Sequence, residues 1–208
     1  MTKLPLFPLN AVLFPDGVLG LRVFETRYLD MVTRCMQAQT PFGIALIKKG
    51  AEVSVKHKAE IAEPEAIGCV AQIIDWDMPQ PGILHLRVQG GQRFEIIHTE
   101  AAADGLLLGD VEYWEADPEI AMPDEYQPCV ALLQRIVLDL ERQHQAEEKP
   151  LPLIKPYQFN NVAWVANRLC EILTIPNKAR QKLMELEEPL VRLSLVNQYL
   201  RQHKILED

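Results

Sequence analysis

The sequence predicts an α+β fold in which a β-rich first part is followed by a helical second part. Alternating and β-branched apolar segments dominate before residue 117, whereas apolar residues recur at helical spacing after Pro118. With 208 residues, of which 48% are hydrophobic, the chain can build a substantial core. We therefore expect a β-rich subdomain over residues 1–117 and a helical subdomain over residues 118–208.

The chain opens with apolar segments that are interrupted by Pro5, Pro8 and Pro15. Proline fixes φ and lacks a backbone N–H, so these segments favour edge strands or extended structure over a central strand. A turn at Asp16-Gly17 and a further apolar strand follow. Apolar residues at helical spacing then predict a helix from Thr26 to about Ala38.

Five further strands are predicted between residues 42 and 114. The residues from Ile83 to Gln89 alternate apolar and polar side chains, as in a half-buried strand. Gly90-Gly91 then predicts a hairpin, because glycine accepts positive φ. The short links favour antiparallel pairing. The predicted strands are Phe42 to Ile47, Ile67 to Trp76, Ile83 to Gln89, Gln92 to His98 and Leu106 to Trp114.

Four amphipathic helices are predicted after Pro118. The first carries Val130, Leu133 and Val137 on one face, and the second begins after Asn161, a residue typical of N-caps. Pro176 and Pro189 mark the starts of the last two, since proline is tolerated in a first helical turn. Each apolar stripe needs a partner, so we expect these helices to pack together.

Composition excludes several classes of function. The net charge is −8, with 21 basic and 29 acidic residues, and no cluster of Lys and Arg suited to phosphates is present. Nucleic acid is therefore not an expected partner. No apolar run approaches the roughly 18 residues that span a bilayer, and prolines and Asp16 break the opening segment, unlike an export signal. We expect a cytoplasmic protein that does not bind membranes.

Metal and cofactor chemistry are also not expected. The four cysteines are far apart and form no C-x-x-C motif, which favours buried reduced thiols. His85 and His98 lie on predicted neighbouring strands, where two surface histidines are a simpler interpretation than a metal pair. The sequence thus predicts no metal site and no cofactor.

Several segments resemble a known family, including the helical stretch from Ile175-Pro176 to Arg192-Leu193. LPLFPLNAVLFPDGVLGLRVFETRYLDMV, at residues 4–32, resembles the start of the LON substrate-binding domain, which is the N-terminal part of ATP-dependent Lon protease and also occurs in stand-alone bacterial proteins. Residues 68–73 resemble the family's central strand. Gly90, Arg93 and Phe94 match its G-x-x-R-F hairpin. The resemblance implies a PUA-like antiparallel twisted β-barrel with one inserted helix, followed by a C-terminal helical bundle.

The resemblance also implies a non-enzymatic module that recognises unfolded polypeptide or a dedicated protein partner, on the barrel surface or in a groove between barrel and helices. A P-loop is absent because no Gly-Lys dipeptide occurs, and the only serines are Ser54 and Ser194. Ser54 lacks the strained turn that presents a nucleophile. We therefore expect no catalytic residues. The alternatives are a small-molecule or RNA-binding PUA-like protein and an uncharacterised hydrolase using Ser54, His85 and His98.

Candidate binding residues surround the predicted helix start. Glu25 lies where the helix dipole favours negative charge. Arg93 leaves the Gly-Gly turn and either pairs with an acid such as Glu25 or contacts a ligand beside the helix. Aromatic residues at strand and helix ends are frequent interaction sites. The candidates are Phe24, Glu25, Arg27, Tyr28, Arg93 and Trp114. A weak homodimer is a further alternative, since the sequence does not assign an oligomeric state.

Overall fold

The computed structural model describes residues 2–50 and 62–206, so Ser54 lies outside the described residues. The fold is mixed α+β. The chain divides into two compact units, Met1–Ala116 and Asp117–Asp208, which are called the first and the second unit below.

The described part of the first unit contains six strands and one helix. The sheet order is β2-β5-β4-β3-β1-β6, and β5 pairs with β6 as well, so the pairings form a closed circuit through β5. All pairings are antiparallel except that of β1 with β3. The elements are β1 (Thr2–Leu9), β2 (Val18–Val23), α1 (Thr26–Ala38), β3 (Phe42–Lys49), β4 (Glu63–Gln80), β5 (Ile83–Ala101) and β6 (Leu107–Tyr113).

The hairpin predicted at Gly90-Gly91 is wrong, because β5 runs continuously from Ile83 to Ala101. Gly90 is needed instead for a close contact with another backbone segment. A Cβ atom at this position would lie 2.0 Å from the carbonyl oxygen of Phe14. Its N–H donates to the Gly17 carbonyl, and its own carbonyl accepts from the Asp16 N–H, each at 2.8 Å. Glycine is therefore required here for close approach between two backbones.

The hairpin between β4 and β5 lies instead at Pro81-Gly82, where Gln80 is opposite Ile83. Gly82 has φ +81°, the left-handed conformation that glycine adopts without steric cost. His85 and His98 therefore lie on the same strand, whereas the sequence had predicted that they lie on neighbouring strands.

The prediction that the opening prolines exclude a central strand is also wrong, since β1 lies between β3 and β6. The register explains how Pro5 and Pro8 are tolerated. Thr2–Leu6 is paired with β6, and Leu6–Leu9 is paired with β3. Each proline therefore has a registered partner on one side only, as at an edge.

Helix α1 has the predicted bounds and packs onto one face of the sheet. Its buried residues are Tyr28, Met31, Val32 and Cys35. They belong to one apolar cluster with residues of five strands, among them Phe7, Phe42 and Val88. This cluster fixes the start of α1 beside β1 and β2.

Up to residue 206, the second unit contains four α-helices, as predicted, preceded by a short 3-10 helix at Asp124–Tyr126. Asn161 caps α3 as expected, because its Oδ1 accepts from the N–H groups of Ala163 and Trp164 at 2.9 and 3.2 Å. Pro189 is the first residue of α5. The helices are α2 (Gln127–Ala146), α3 (Val162–Ile172), α4 (Asn177–Met184) and α5 (Pro189–Gln202).

A buried arginine connects three segments of the second unit. The guanidinium of Arg192, 1% exposed, donates to Asp117 Oδ2 at 2.9 Å and to Asn167 Oδ1 at 2.8 Å. It also donates to the carbonyl of Leu183, in the last turn of α4, and to that of Leu186, just beyond this helix. One side chain thus satisfies acceptors that the end of a helix leaves unpaired.

We expect Gly90→Ala to destabilise the first unit by about 2–3 kcal/mol, because the added methyl group would overlap the Phe14 carbonyl. Gly20→Ala is the matched control, since a Cβ atom there meets nothing within 4 Å. It should change the free energy of unfolding by less than about 1 kcal/mol. Urea unfolding followed by circular dichroism measures both. Equal stability of the two variants would contradict this account of Gly90.

We expect Arg192→Met to destabilise the second unit by about 3–5 kcal/mol, because it leaves the buried Asp117 carboxylate without its cation. Arg142→Met on α2 removes an exposed arginine instead and should cost less than about 0.5 kcal/mol. Thermal unfolding of both variants provides the comparison. Equal melting temperatures of the two variants would show that the buried network does not stabilise the unit.

Candidate functional site

An apolar groove lies in the first unit where β1 ends, β2 runs and α1 begins. It has a volume of about 320 Å³. Phe7, Leu19, Leu21 and Tyr28 supply apolar lining, and Phe24 and Glu25 line it at the start of the helix. Three of the six residues predicted for binding, namely Phe24, Glu25 and Tyr28, are therefore brought together here.

Strand β2 forms one wall of this groove and lies at an edge of the sheet. Within the described residues, β2 pairs with β5 alone. Leu19 and Leu21 pack partly buried against the apolar cluster, while Gly20 and Arg22 are exposed. One edge of the β2 backbone thus remains open beside an apolar groove.

The start of α1 places a fixed ion pair at the groove. Glu25 occupies the N-cap position but makes no side-chain cap hydrogen bond. Its carboxylate accepts from Arg27 Nε at 3.1 Å and lies 2.9 Å from Arg27 Nη2. Arg27 also donates to the Gly105 carbonyl at 3.0 Å, so the pair is tied to the loop after β5. Glu25 therefore pairs with Arg27, its near neighbour in sequence. The sequence had suggested Arg93 as a partner for Glu25.

The two aromatic residues at this helix start differ in exposure. Tyr28 is buried and stacks on Phe7, with ring centroids 4.0 Å apart, while the Arg27 guanidinium lies 4.6 Å from the Tyr28 ring centroid. Phe24 is 48% exposed. Tyr28 therefore supports the groove, and Phe24 is the aromatic side chain available to a ligand.

Arg93 and Trp114 form a separate contact that does not line the groove. Arg93 is buried, and its guanidinium lies 4.9 Å from the Trp114 ring centroid. The backbone N–H of Trp114 donates to the Arg93 carbonyl at 2.9 Å, and the Gln92 side-chain amide donates to the Trp114 carbonyl. This arrangement joins the chain after β6 to β5, which is a structural contact between neighbouring segments.

Sequence reasoning missed the part of the groove formed by β2 and the end of β1. The signal in the sequence is the alternation of Leu19, Leu21 and Val23 with Gly20 and Arg22. That alternation predicts a half-buried strand, but the open edge depends on strand order. The groove is also lined by Leu9, Asn10 and Ala11. The prolines around them gave no indication in the sequence that they line a groove.

The second unit contains a larger apolar cavity of about 710 Å³. It lies between α4, α5 and the segment that joins α3 to α4, with Leu183, Leu186 and Val196 among its lining residues. Lys182 and Glu185 contribute the charged groups, and they form an ion pair of 2.6 Å with one another. Neither charge is left for a ligand without breaking that pair.

Few groups in the described ranges are suited to bond-breaking chemistry. No group of three or more His, Cys, Asp or Glu side chains among residues 2–50 and 62–206 could hold a metal ion. His85 is opposite Asp77, and His98 is opposite Asp110. None of the described helices has the length and apolar character needed to cross a membrane.

The four cysteines are buried free thiols, as predicted. Burial raises the pKa of Cys129 to about 11 and that of Cys170 to about 12. Burial also raises the pKa of Cys35. Because the thiolate is the reactive form, raised pKa values make these side chains poor nucleophiles at neutral pH.

We expect Cys129 and Cys170 in the folded protein to react with iodoacetamide at pH 8 at least about tenfold more slowly than in guanidinium chloride, where an ordinary thiol pKa of about 8.5 returns. Mass spectrometry of the two cysteine-containing peptides over time measures the rates. Rapid modification of either residue before unfolding would show an accessible, reactive thiol.

Comparison with known proteins agrees with the architecture described above. The family model for the ATP-dependent protease La (LON) substrate-binding domain matches residues 3–202. The chain is similar to a Lon N-terminal domain protein from Xanthomonas campestris, at 31% identity and a TM-score of 0.75, over 96% of this chain and 99% of that chain. The N-terminal domain of the Mycobacterium avium complex Lon protease shares the fold at 16% identity and a TM-score of 0.60, over 97% of this chain and 100% of that chain. The chain belongs to the LON substrate-binding domain family.

Proposed function

We propose that this protein is a non-enzymatic module that binds extended polypeptide along β2. The observation that carries the proposal is the open backbone edge of β2 beside an apolar groove with the half-exposed Phe24. An extended segment can add to such an edge through main-chain hydrogen bonds. The family's description as a substrate-binding domain supports the same class of ligand.

Side chains would supply the preference among bound segments. Alternate residues of an added strand point to the same face, so apolar residues at every second position would enter the groove near Leu19 and Leu21. Phe24 would cover them. Main-chain bonding and a small apolar contact area favour broad specificity and weak binding, in the micromolar range.

The Glu25–Arg27 pair would serve as a fixed boundary of this groove. Both side chains are about one-fifth exposed, and Arg27 is anchored to the Gly105 carbonyl. Moving them to admit a ligand would break an ion pair and a hydrogen bond. We therefore assign them a positioning role at the end of the bound segment.

We also propose the finer architecture that the family resemblance implies. The closed circuit of strands would form a PUA-like barrel over residues 1–117, and the helices a bundle over residues 118–208. The barrel would carry the polypeptide site. With a net charge of −8, protein is favoured over nucleic acid as the partner. The chain itself would perform no ATPase or peptidase reaction.

Binding can be tested with a reduced and carboxymethylated protein that cannot refold, labelled with a fluorophore. We expect saturable binding by fluorescence anisotropy. Phe24→Ala should weaken it about three- to tenfold, as truncation of a contacting aromatic residue does. Ile97→Ala is the matched control, because Ile97 is 46% exposed but does not line the groove.

Circular dichroism would first establish that both variants are folded. An absence of saturable binding by the unaltered protein would reject the polypeptide-binding function. Equal affinities of the two variants would retain that function but reject the groove along β2 as its site.

A further inference from the structure

A second open edge exists on β4, separate from the groove along β2. The last registered pair between β3 and β4 joins Phe42 to Ala71, whereas β4 continues to Gln80. Residues 72–80 therefore pair only with β5 within the described chain. All but one of these nine residues are exposed. This part of β4 is called the outer edge below.

The outer edge presents different chemistry on its two faces. Trp76 is opposite Leu86 on β5 and is 53% exposed, and Met78 is 49% exposed. Asp75 and Asp77 alternate with them and are opposite Arg87 and His85. The register with β5 is regular from Asp75 to Asp77, so Trp76 lies on the opposite face from the two carboxylates; register shifts flank this run on both sides.

The acidic face is only partly neutralised. The Asp75 carboxylate lies 3.8 Å from the partly exposed Arg87 guanidinium and accepts from the backbone N–H of Trp76 at 2.9 Å. Asp77 makes no ion pair with any residue in the described ranges. A strand added to this edge would place its own alternate side chains beside these two carboxylates.

We propose that the outer edge of β4 binds an extended segment of a partner protein in which apolar residues alternate with Lys or Arg. The apolar residues would lie beside Trp76 and Met78, and the basic residues beside Asp75 and Asp77. Main-chain hydrogen bonds would supply affinity, and the charges would supply selectivity. The proposal does not depend on the groove along β2.

The same charges disfavour a second copy of this chain. Two copies paired through this edge would bring Asp75 and Asp77 of one copy against the same residues of the other, and like charges on paired strands are destabilising. The chains would also both carry a net charge of −8. Acidic residues on an edge strand therefore prevent self-pairing and still admit a basic partner.

Pro79 limits the bound segment at one end. It has no N–H to donate, so ladder pairing cannot extend regularly to the tip of the hairpin. The usable edge thus lies between Gln72 and Met78. It includes both carboxylates and the exposed Ile74, Trp76 and Met78, and its register with β5 is regular over Asp75–Asp77.

The test uses a short synthetic peptide in which valine alternates with lysine, compared with one in which valine alternates with glutamate. We expect the lysine peptide to bind saturably, at least about tenfold more tightly, and more weakly as salt is raised. Strand addition uses only alternate amides. N-methylation of one alternate set should therefore abolish binding, and methylation of the other set should leave it.

Variants locate the site. Asp77→Lys should reverse the preference between the two peptides, and Trp76→Ala should weaken binding of the lysine peptide several-fold. Ile97→Ala should leave it unchanged, because Ile97 is exposed but lies outside the outer edge. Failure of binding to the groove along β2 would not alter these results, so the two proposals fail separately.

Equal binding of the two peptides, equal loss of binding with either methylated set, or no effect of Asp77→Lys would each overturn the proposal. Self-association in sedimentation that is lost in Trp76→Ala would also overturn it, because it would assign the outer edge to a second copy of this chain.

Discussion

The need to pair backbone N–H and C=O groups is the constraint on which the first unit depends, and β5 is the strand that meets it. This strand pairs with β2, β4 and β6, and its contact with β6 completes the circuit of strands. A break in β5 would leave β2 without its partner among the described strands, and would leave one side of β4 and one side of β6 unpaired. Continuity through Gly90 is therefore the condition for the sheet, and among the described residues one side of β2 and of the outer edge of β4 has no strand partner.

The sequence predicted elements whose cause is local. The bounds of α1 and the cap at Asn161 follow from spacing and from a side chain that satisfies nearby N–H groups. The Gly90-Gly91 hairpin was wrong because the demand on Gly90 comes from Phe14, far away in sequence. The position of β1 was wrong for a related reason. Its prolines are compatible with a central strand only because its two halves pair with different neighbours.

The same distinction between local causes and contacts distant in sequence applies to the candidate site. Phe24, Glu25 and Tyr28 could be predicted together because they surround one helix start and so are neighbours by local geometry. Arg93 and Trp114 could not be placed from sequence, since their contact depends on the pairing of β5 with β6. The open edges could not be predicted either. Whether a strand has a free side is a property of strand order, which the periodicity of a single strand does not encode.

The two open edges belong to one ribbon, because β2 and the outer edge of β4 both pair with the same stretch of β5. Strands added at both sides would be separated by β2, β5 and β4, which at about 4.8 Å per strand places them about 19 Å apart. A single polypeptide would need a connection of about six or more extended residues to reach both. Such a connection makes the second contact intramolecular, so two weak edges can hold one chain more tightly than either alone. If both proposals hold, a ribbon with one apolar and one acidic edge would favour a client that carries both an apolar segment and a basic one.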